Sequence, residues 1–158
     1  MKRTAGVLLA TLALVLAACG GDEDGDASGR TSAHPAPKTG PDGTTTVSLV
    51  EENNSGASGT ALLGHSGGRA TVTIELRGDD RLYRAHVHDV SCDRYRRMDD
   101  FSAQLATLTE GLTSVTRGSS KSELSEPLSS YTRPGFSINV HEFASPYPVV
   151  ACGDLSAP

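Results

Sequence analysis

Short apolar runs between residues 44 and 158 alternate with polar residues and are cut apart by glycine-rich turns, a pattern that leaves little room for anything but a β fold. Residues 70–76 show it most cleanly: Val72, Ile74 and Leu76 alternate with Thr71, Thr73 and Glu75. Period-two alternation puts one set of side chains in a core and the other in water. Phe136, Ile138 and Val140 against Ser137, Asn139 and His141 repeat the pattern over residues 136–142. Further strand-like runs occupy residues 44–50, 58–63, 112–116 and 148–153, and glycine-containing breaks fall at residues 53–56, 64–68, 77–80 and 117–118. Short strands at such spacing predict an all-β sandwich or barrel. Residues 93–100 are strongly charged, residues 102–110 suit a helix or a loop, and residues 124–131 suit a helical turn.

Within this framework one segment, residues 85–92, carries chemistry. His86 and His88 sit one residue apart, and Cys92 follows four positions later. On a strand, residues i and i+2 point the same way, so the two imidazoles project side by side while Val87 faces the core. His141 lies in a second strand-like run, and Cys152 comes shortly after it.

The first 18 residues read as a secretory leader: Met1-Lys2-Arg3 is basic, residues 5–15 are mostly apolar, and Leu16-Ala17-Ala18-Cys19 closes the stretch. The apolar run is short for a spanning helix and ends in small residues. Leu-Ala-Ala-Cys resembles the lipobox of bacterial lipoproteins, which implies cleavage before Cys19 and a lipid on its sulfur. The alternative, an ordinary leader cut near Ala17 or Ala18, leaves a free thiol. Residues 19–43, rich in Gly, Asp, Pro and Thr, then read as a tether, with His34 a solvated residue within it. Such a chain spans roughly 25–30 Å. The expected location is therefore the extracytoplasmic face of a bacterial cell membrane, with a lipid-anchored domain over residues 44–158.

Without Lys2 and Arg3, 12 basic residues face 19 acidic ones, a formal charge of −7. That excludes nucleic acid as an expected partner and leaves membrane contact to the lipid. If lipid takes Cys19, Cys92 and Cys152 remain of the three cysteines, and an oxidising compartment lets them bridge. A loop of that length closed by a disulfide is worth about 4 kcal/mol in the chain-entropy model.

Three motifs, in order, are Ala-His-Val-His with Cys92 after it, Asn-Val-His-Glu around His141, and Val-Ala-Cys-Gly-Asp around Cys152. Together they resemble the copper/zinc superoxide dismutase family over roughly residues 44–158. The resemblance implies an eight-stranded Greek-key β-barrel of immunoglobulin-like sandwich type. It puts His86, His88 and His141 on three of the family's four copper ligands, and Cys92 and Cys152 on its disulfide. The sequence also departs from the family. No histidine lies between His88 and His141, so the bridging ligand and the zinc histidines of that loop are missing. Ser145 stands where the family has an aspartate linking the two metals, and Val149 where it has the arginine that guides superoxide.

The expectation is copper on three histidines without zinc, in a protein for which superoxide, a small anion, is a possible substrate. The alternative is a metal-free structural or binding module on the same fold. A zinc site with hydrolytic chemistry would need a general base, and the motifs supply none. His65, in a glycine-rich turn, could add a ligand but reads as solvated. Arg94, Arg96 and Arg97 could steer an anion or could simply pair with Asp93, Asp99 and Asp100. Asp89 and Glu142 follow metal histidines directly, so they point to the opposite face and could only support the ligands indirectly.

Overall fold

The computed structural model describes residues 34–156; the leader, Cys19 and the tether as far as residue 33 lie outside them. The alternating runs become strands: β1 (Lys38–Thr39), β2 (Thr45–Glu51), β3 (Ser58–Ser66), β4 (Arg69–Arg77), β5 (Tyr83–His88), β6 (Leu108–Val115), β7 (Ser119–Glu123), β8 (Ser137–Glu142) and β9 (Val149–Asp154). Two short helices, α1 (Cys92–Arg96) and α2 (Phe101–Ala106), fill the connection from β5 to β6. Hydrogen bonding runs β6-β5-β8-β9-β2-β3-β4-β7, with β1 added on β2, and the pairings are antiparallel.

The path curls into a nearly closed barrel. β2 belongs to both walls: Thr45 to Leu49 pair with β3, and Val50 and Glu51 pair with β9. The two ends of the path, β6 and β7, are joined by a tight turn at Arg117 and Gly118, both at positive φ. A Cβ on Gly118 would stand 2.7 Å from the Leu76 carbonyl oxygen, so the turn needs glycine there on two counts. Across the same gap the Thr113 N–H donates to Ser122 Oγ at 2.8 Å.

The core lies between the walls. Val47, Leu49, Ala61, Leu63, Val72 and Ile74 come from one side, and Tyr83, Ala85, Val87, Val115, Ile138 and Val140 from the other, all at most 2 % exposed. Val72, Ile74, Val87, Ile138 and Val140 are inward as the alternation predicts. The opposite face is not left in water throughout: Thr71, Ser137, Asn139 and His141 are buried too, under neighbouring elements. Cys92 and Cys152 are bonded, with Cα atoms 5.9 Å apart, which fastens α1 to β9.

The structure adds elements that the alternation does not announce. β7, Ser-Ser-Lys-Ser-Glu, has no apolar residue; it is held by five register pairs with β4, and Ser120 and Ser122 are buried. α1 forms in the charged stretch because Ser91 caps it, its Oγ accepting from the Arg94 N–H at 3.3 Å, as N-caps do. Residues 102–110 resolve into all but the first residue of α2 and the start of β6, and residues 124–131 contain a 3₁₀ turn at Leu128–Ser130.

The described part of the segment read as tether is also structured. β1 pairs with β2. The side chain of His34 is 2 % exposed, with Nε2 3.1 Å from Glu52 Oε1, an oxygen that Arg96 Nη2 also approaches at 2.9 Å. The folded unit thus reaches upstream of residue 44 to at least His34, and His34 is not a solvated linker residue. Among the described residues no helix is long and apolar enough to cross a membrane.

The bridge closes a sequence separation of 60 residues, so its loss should lower unfolding free energy by about 4 kcal/mol. Denaturant unfolding of the Cys92→Ser/Cys152→Ser double variant against wild type measures this; a change under about 1 kcal/mol would show that the bridge adds little to stability.

Candidate metal centre

The histidines are assembled by the pairing of β5 with β8. Its register sets Ala85 against Val140 and Val87 against Ile138 on the core side. On the outer side it sets Arg84 against His141, His86 against Asn139 and His88 against Ser137. Directly opposed residues on one face of an antiparallel pair have Cβ atoms about 5 Å apart, so three imidazoles distant in sequence share one patch. His86, His88 and His141 each offer a ring nitrogen, and these atoms lie within 4.8 Å of one another.

This outer face is roofed. The His88 side chain packs edge-on against Tyr95 of α1, ring centroids 4.7 Å apart, and Tyr95 also meets His141 at 6.0 Å. Phe101 and Leu105 of α2, Leu108 of β6 and Tyr147 from the loop after β8 complete a cleft of about 220 Å³ that holds the three histidines and Arg84. His88 and His141 are buried, 3 % and 5 % exposed, while His86 is half-buried.

Hydrogen bonds fix which nitrogen is free. His141 Nδ1 is 2.9 Å from the Tyr147 carbonyl oxygen, which can only accept, so Nδ1 carries the proton. His88 Nδ1 is 2.9 Å from Thr107 Oγ1, and that hydroxyl donates onward to the Gln104 carbonyl at 2.8 Å. Thr107 therefore accepts from His88 Nδ1–H. Both rings are left with a bare lone pair on Nε2, and both Nε2 atoms are buried without a protein hydrogen-bond partner. A buried polar atom without a partner costs stability; two of them converging with a third imidazole is what a metal ion would satisfy.

The electrostatics agree with neutral ligands. Burial, then the neighbouring His141 and Arg84, pushes the His86 pKa down to about 4. Burial, then His141 and His86, pushes His88 to about 3. Burial also lowers His141, against the opposing pull of the Tyr147 carbonyl. No carboxylate lines the cleft among the described residues, so no counter-charge there favours an imidazolium.

The remaining residues singled out in the sequence lie elsewhere. His65 is exposed near the end of β3. Arg94 and Arg97 are exposed, and Arg96 is engaged with Glu52 and Asp93. Asp89 is exposed, and Glu142 pairs with Arg81 at 3.2 Å. Val149 stands in register with His141 across the β8–β9 pairing. Participants missed in the sequence are Arg84 and Tyr95, as well as Thr107 and Tyr147, which anchor the His88 and His141 rings, and the wall residues Phe101, Leu105 and Leu108. Arg84 shares the face of His86 and His88 at spacing i−2, a signal open to the same strand argument. Tyr95 gives no such signal, because its place depends on α1 and the disulfide.

Comparison with known proteins finds no matching family model, and no curated protein or solved structure matches the chain. The likeness to copper/zinc superoxide dismutases rests on the three motifs.

The lowered pKa values have a consequence for stability. In the unfolded chain a histidine titrates near 6.5, but in the folded protein His86 and His88 do so near 4 and 3. Between those values the unfolded state holds more protons, so the metal-free protein loses stability as pH falls from about 6.5 towards 4. Urea midpoints measured from pH 7 to 4.5 should drop, and drop less steeply in His88→Gln. Equal slopes would show that burial of His88 does not set its protonation.

Proposed function

We propose that His86, His88 and His141 form a copper-binding centre, in a lipid-anchored extracytoplasmic protein with a superoxide dismutase-like Greek-key barrel. The observation that carries the metal reading is the pair of inward-facing Nε2 atoms on His88 and His141, each bare, buried and unpartnered, within reach of the third imidazole. Imidazole suits both copper and zinc, and an open site of this kind binds copper(II) more tightly than zinc. The lack of a carboxylate in the cleft among the described residues speaks against a zinc hydrolase, which needs a base for its bound water. The motif resemblance and the Cys92–Cys152 bond support the choice of copper and of the family.

In this reading each residue has a task. The two anchored imidazoles present preset lone pairs, and half-buried His86 closes the set at the mouth. Thr107 and the Tyr147 carbonyl hold the His88 and His141 rings against rotation. Tyr95 covers the buried side and keeps water from the ligands. Copper, when bound, supplies a one-electron couple that a small anion such as superoxide could reach through the open side of the cleft.

The test is retention. Purified protein exposed to equal copper and zinc, then desalted, should keep about one copper per chain and little zinc. The His86→Ala/His88→Ala/His141→Ala variant should keep neither. If wild type holds no more of either metal than this variant, the metal reading fails and a metal-free binding module remains. If copper is held but superoxide decays no faster than with the variant, only the dismutase activity fails.

Thr107 gives a finer check. Thr107→Val keeps the shape but removes the acceptor for His88 Nδ1–H, and loss of such a supporting partner weakens metal binding roughly 10- to 100-fold. Competition for copper against a chelator of known affinity would measure it; unchanged affinity would mean that His88 is not held by that bond.

A further inference from the structure

We propose that the cleft over the histidines binds a small organic carboxylate, its charged end on Arg84 and its apolar body against α2. The inference shares the cavity of the copper site but not its premise, since it needs no metal.

Arg84 lies beside the three imidazoles, directly opposite His141 in register, and lines the same cleft. Its guanidinium carbon sits 4.4 Å from the ring centre of Phe143 and 5.1 Å from that of Tyr147. Its Nε is buried without a protein partner. Arg69, Arg81 and Arg96 each reach a carboxylate; Arg84 has no such pair among the described residues. The other described arginines without one, Arg77, Arg94, Arg97, Arg117 and Arg133, are exposed where Arg84 is half-buried. A half-buried cation beside two aromatic rings, with no counter-charge and a buried donor left without a partner, is a place for an anion. The planar fork of arginine matches a carboxylate in two hydrogen bonds.

The other end of the cleft sets the rest of the ligand. α2 buries none of its residues, yet Phe101 and Leu105, one helical turn apart, both line the cleft and are each 54 % exposed. Leu108 adds a third apolar side chain at 38 % exposure. Three large apolar side chains kept partly in water at the rim of a cavity are explained by a ligand that covers them. A space of about 220 Å³ is sufficient for an aromatic ring, because a cavity of roughly 150 Å³ already admits benzene. A bare inorganic anion would use Arg84 but leave this apolar wall uncovered.

The probes are sodium benzoate, sodium formate and uncharged benzamide, titrated calorimetrically into the metal-free full chain and again into copper-loaded protein. Benzoate should bind the metal-free chain at least about 10-fold more tightly than benzamide, which lacks the hydrogen-bonded charge, and about 10-fold more tightly than formate, which lacks the ring that covers the apolar wall. Arg84→Gln should reduce benzoate to the level of benzamide, and Arg84→Lys should retain part of the affinity. Leu105→Ser should reduce benzoate towards formate without altering formate itself. The proposal is overturned if benzoate does not bind the metal-free chain, if benzamide equals it, or if Arg84→Gln binds it unchanged while keeping the wild-type melting temperature. Because the decisive arm contains no metal, failure of copper retention leaves this result standing, and the reverse also holds.

Discussion

Everything at the candidate site depends on the register in which β5 meets β8. Because side chains alternate along a strand, a slip of β5 by one residue would send His86 and His88 into the core and bring Val87 to the outside, away from His141 on β8. The inner positions prevent it: Ala85, Val87, Ile138 and Val140 are fully buried, and burying a valine or isoleucine contributes on the order of 2 kcal/mol. Hydrophobic burial on one face of the pair thus sets the distances between imidazoles on the other, and residues with no chemistry of their own position the ligands.

The outer face carries the opposite balance. An ordinary solvent-facing strand would leave its histidines hydrated and free to titrate. Here α1, α2 and the loop after β8 cover them, and burial is the largest cause of each lowered pKa. Two of the three rings have one nitrogen satisfied by the fold and the other left bare. The protein accepts the desolvation of these nitrogens without supplying partners, while Arg84 adds positive charge beside them. That combination is unfavourable for a proton and for an empty strand surface, and suits ligands that bring their own bonds to the cleft.

The sequence displayed the parts of this that follow from periodicity. Val72, Ile74 and Leu76, or Ile138 and Val140, declare a buried face whatever surrounds them, and His86 and His88 declare a shared direction. Counting cysteines pointed to the bridge. Other features arise from tertiary context. β7 is a strand of serines because β4 offers an edge, not because Ser-Ser-Lys-Ser-Glu prefers extension. His34 reads as linker until Glu52 and Arg96 are placed opposite it. Arg84 sat on the histidine face throughout, but only its place in the cleft and its buried, unpartnered Nε distinguish it from the other described arginines.

Tyr95 shows how the disulfide reaches the site. The bond to Cys152 and the Cys92 N–H donating to Asp154 Oδ1 at 2.8 Å pin the first turn of α1 to β9. Tyr95 stands three residues on, nearly a full turn from Cys92, so pinning Cys92 fixes where the phenol ring falls. It falls on His88 and close to His141. A helix of five residues has little stability of its own; without the bridge, α1 would be held mainly by its Ser91 cap and the burial of Tyr95. The disulfide therefore has two roles that are physically separate. It removes freedom from the unfolded chain, and it holds in place the ring that covers His88 and His141. The second role ties the cover over those two imidazoles to the oxidised state of a bond outside the cleft.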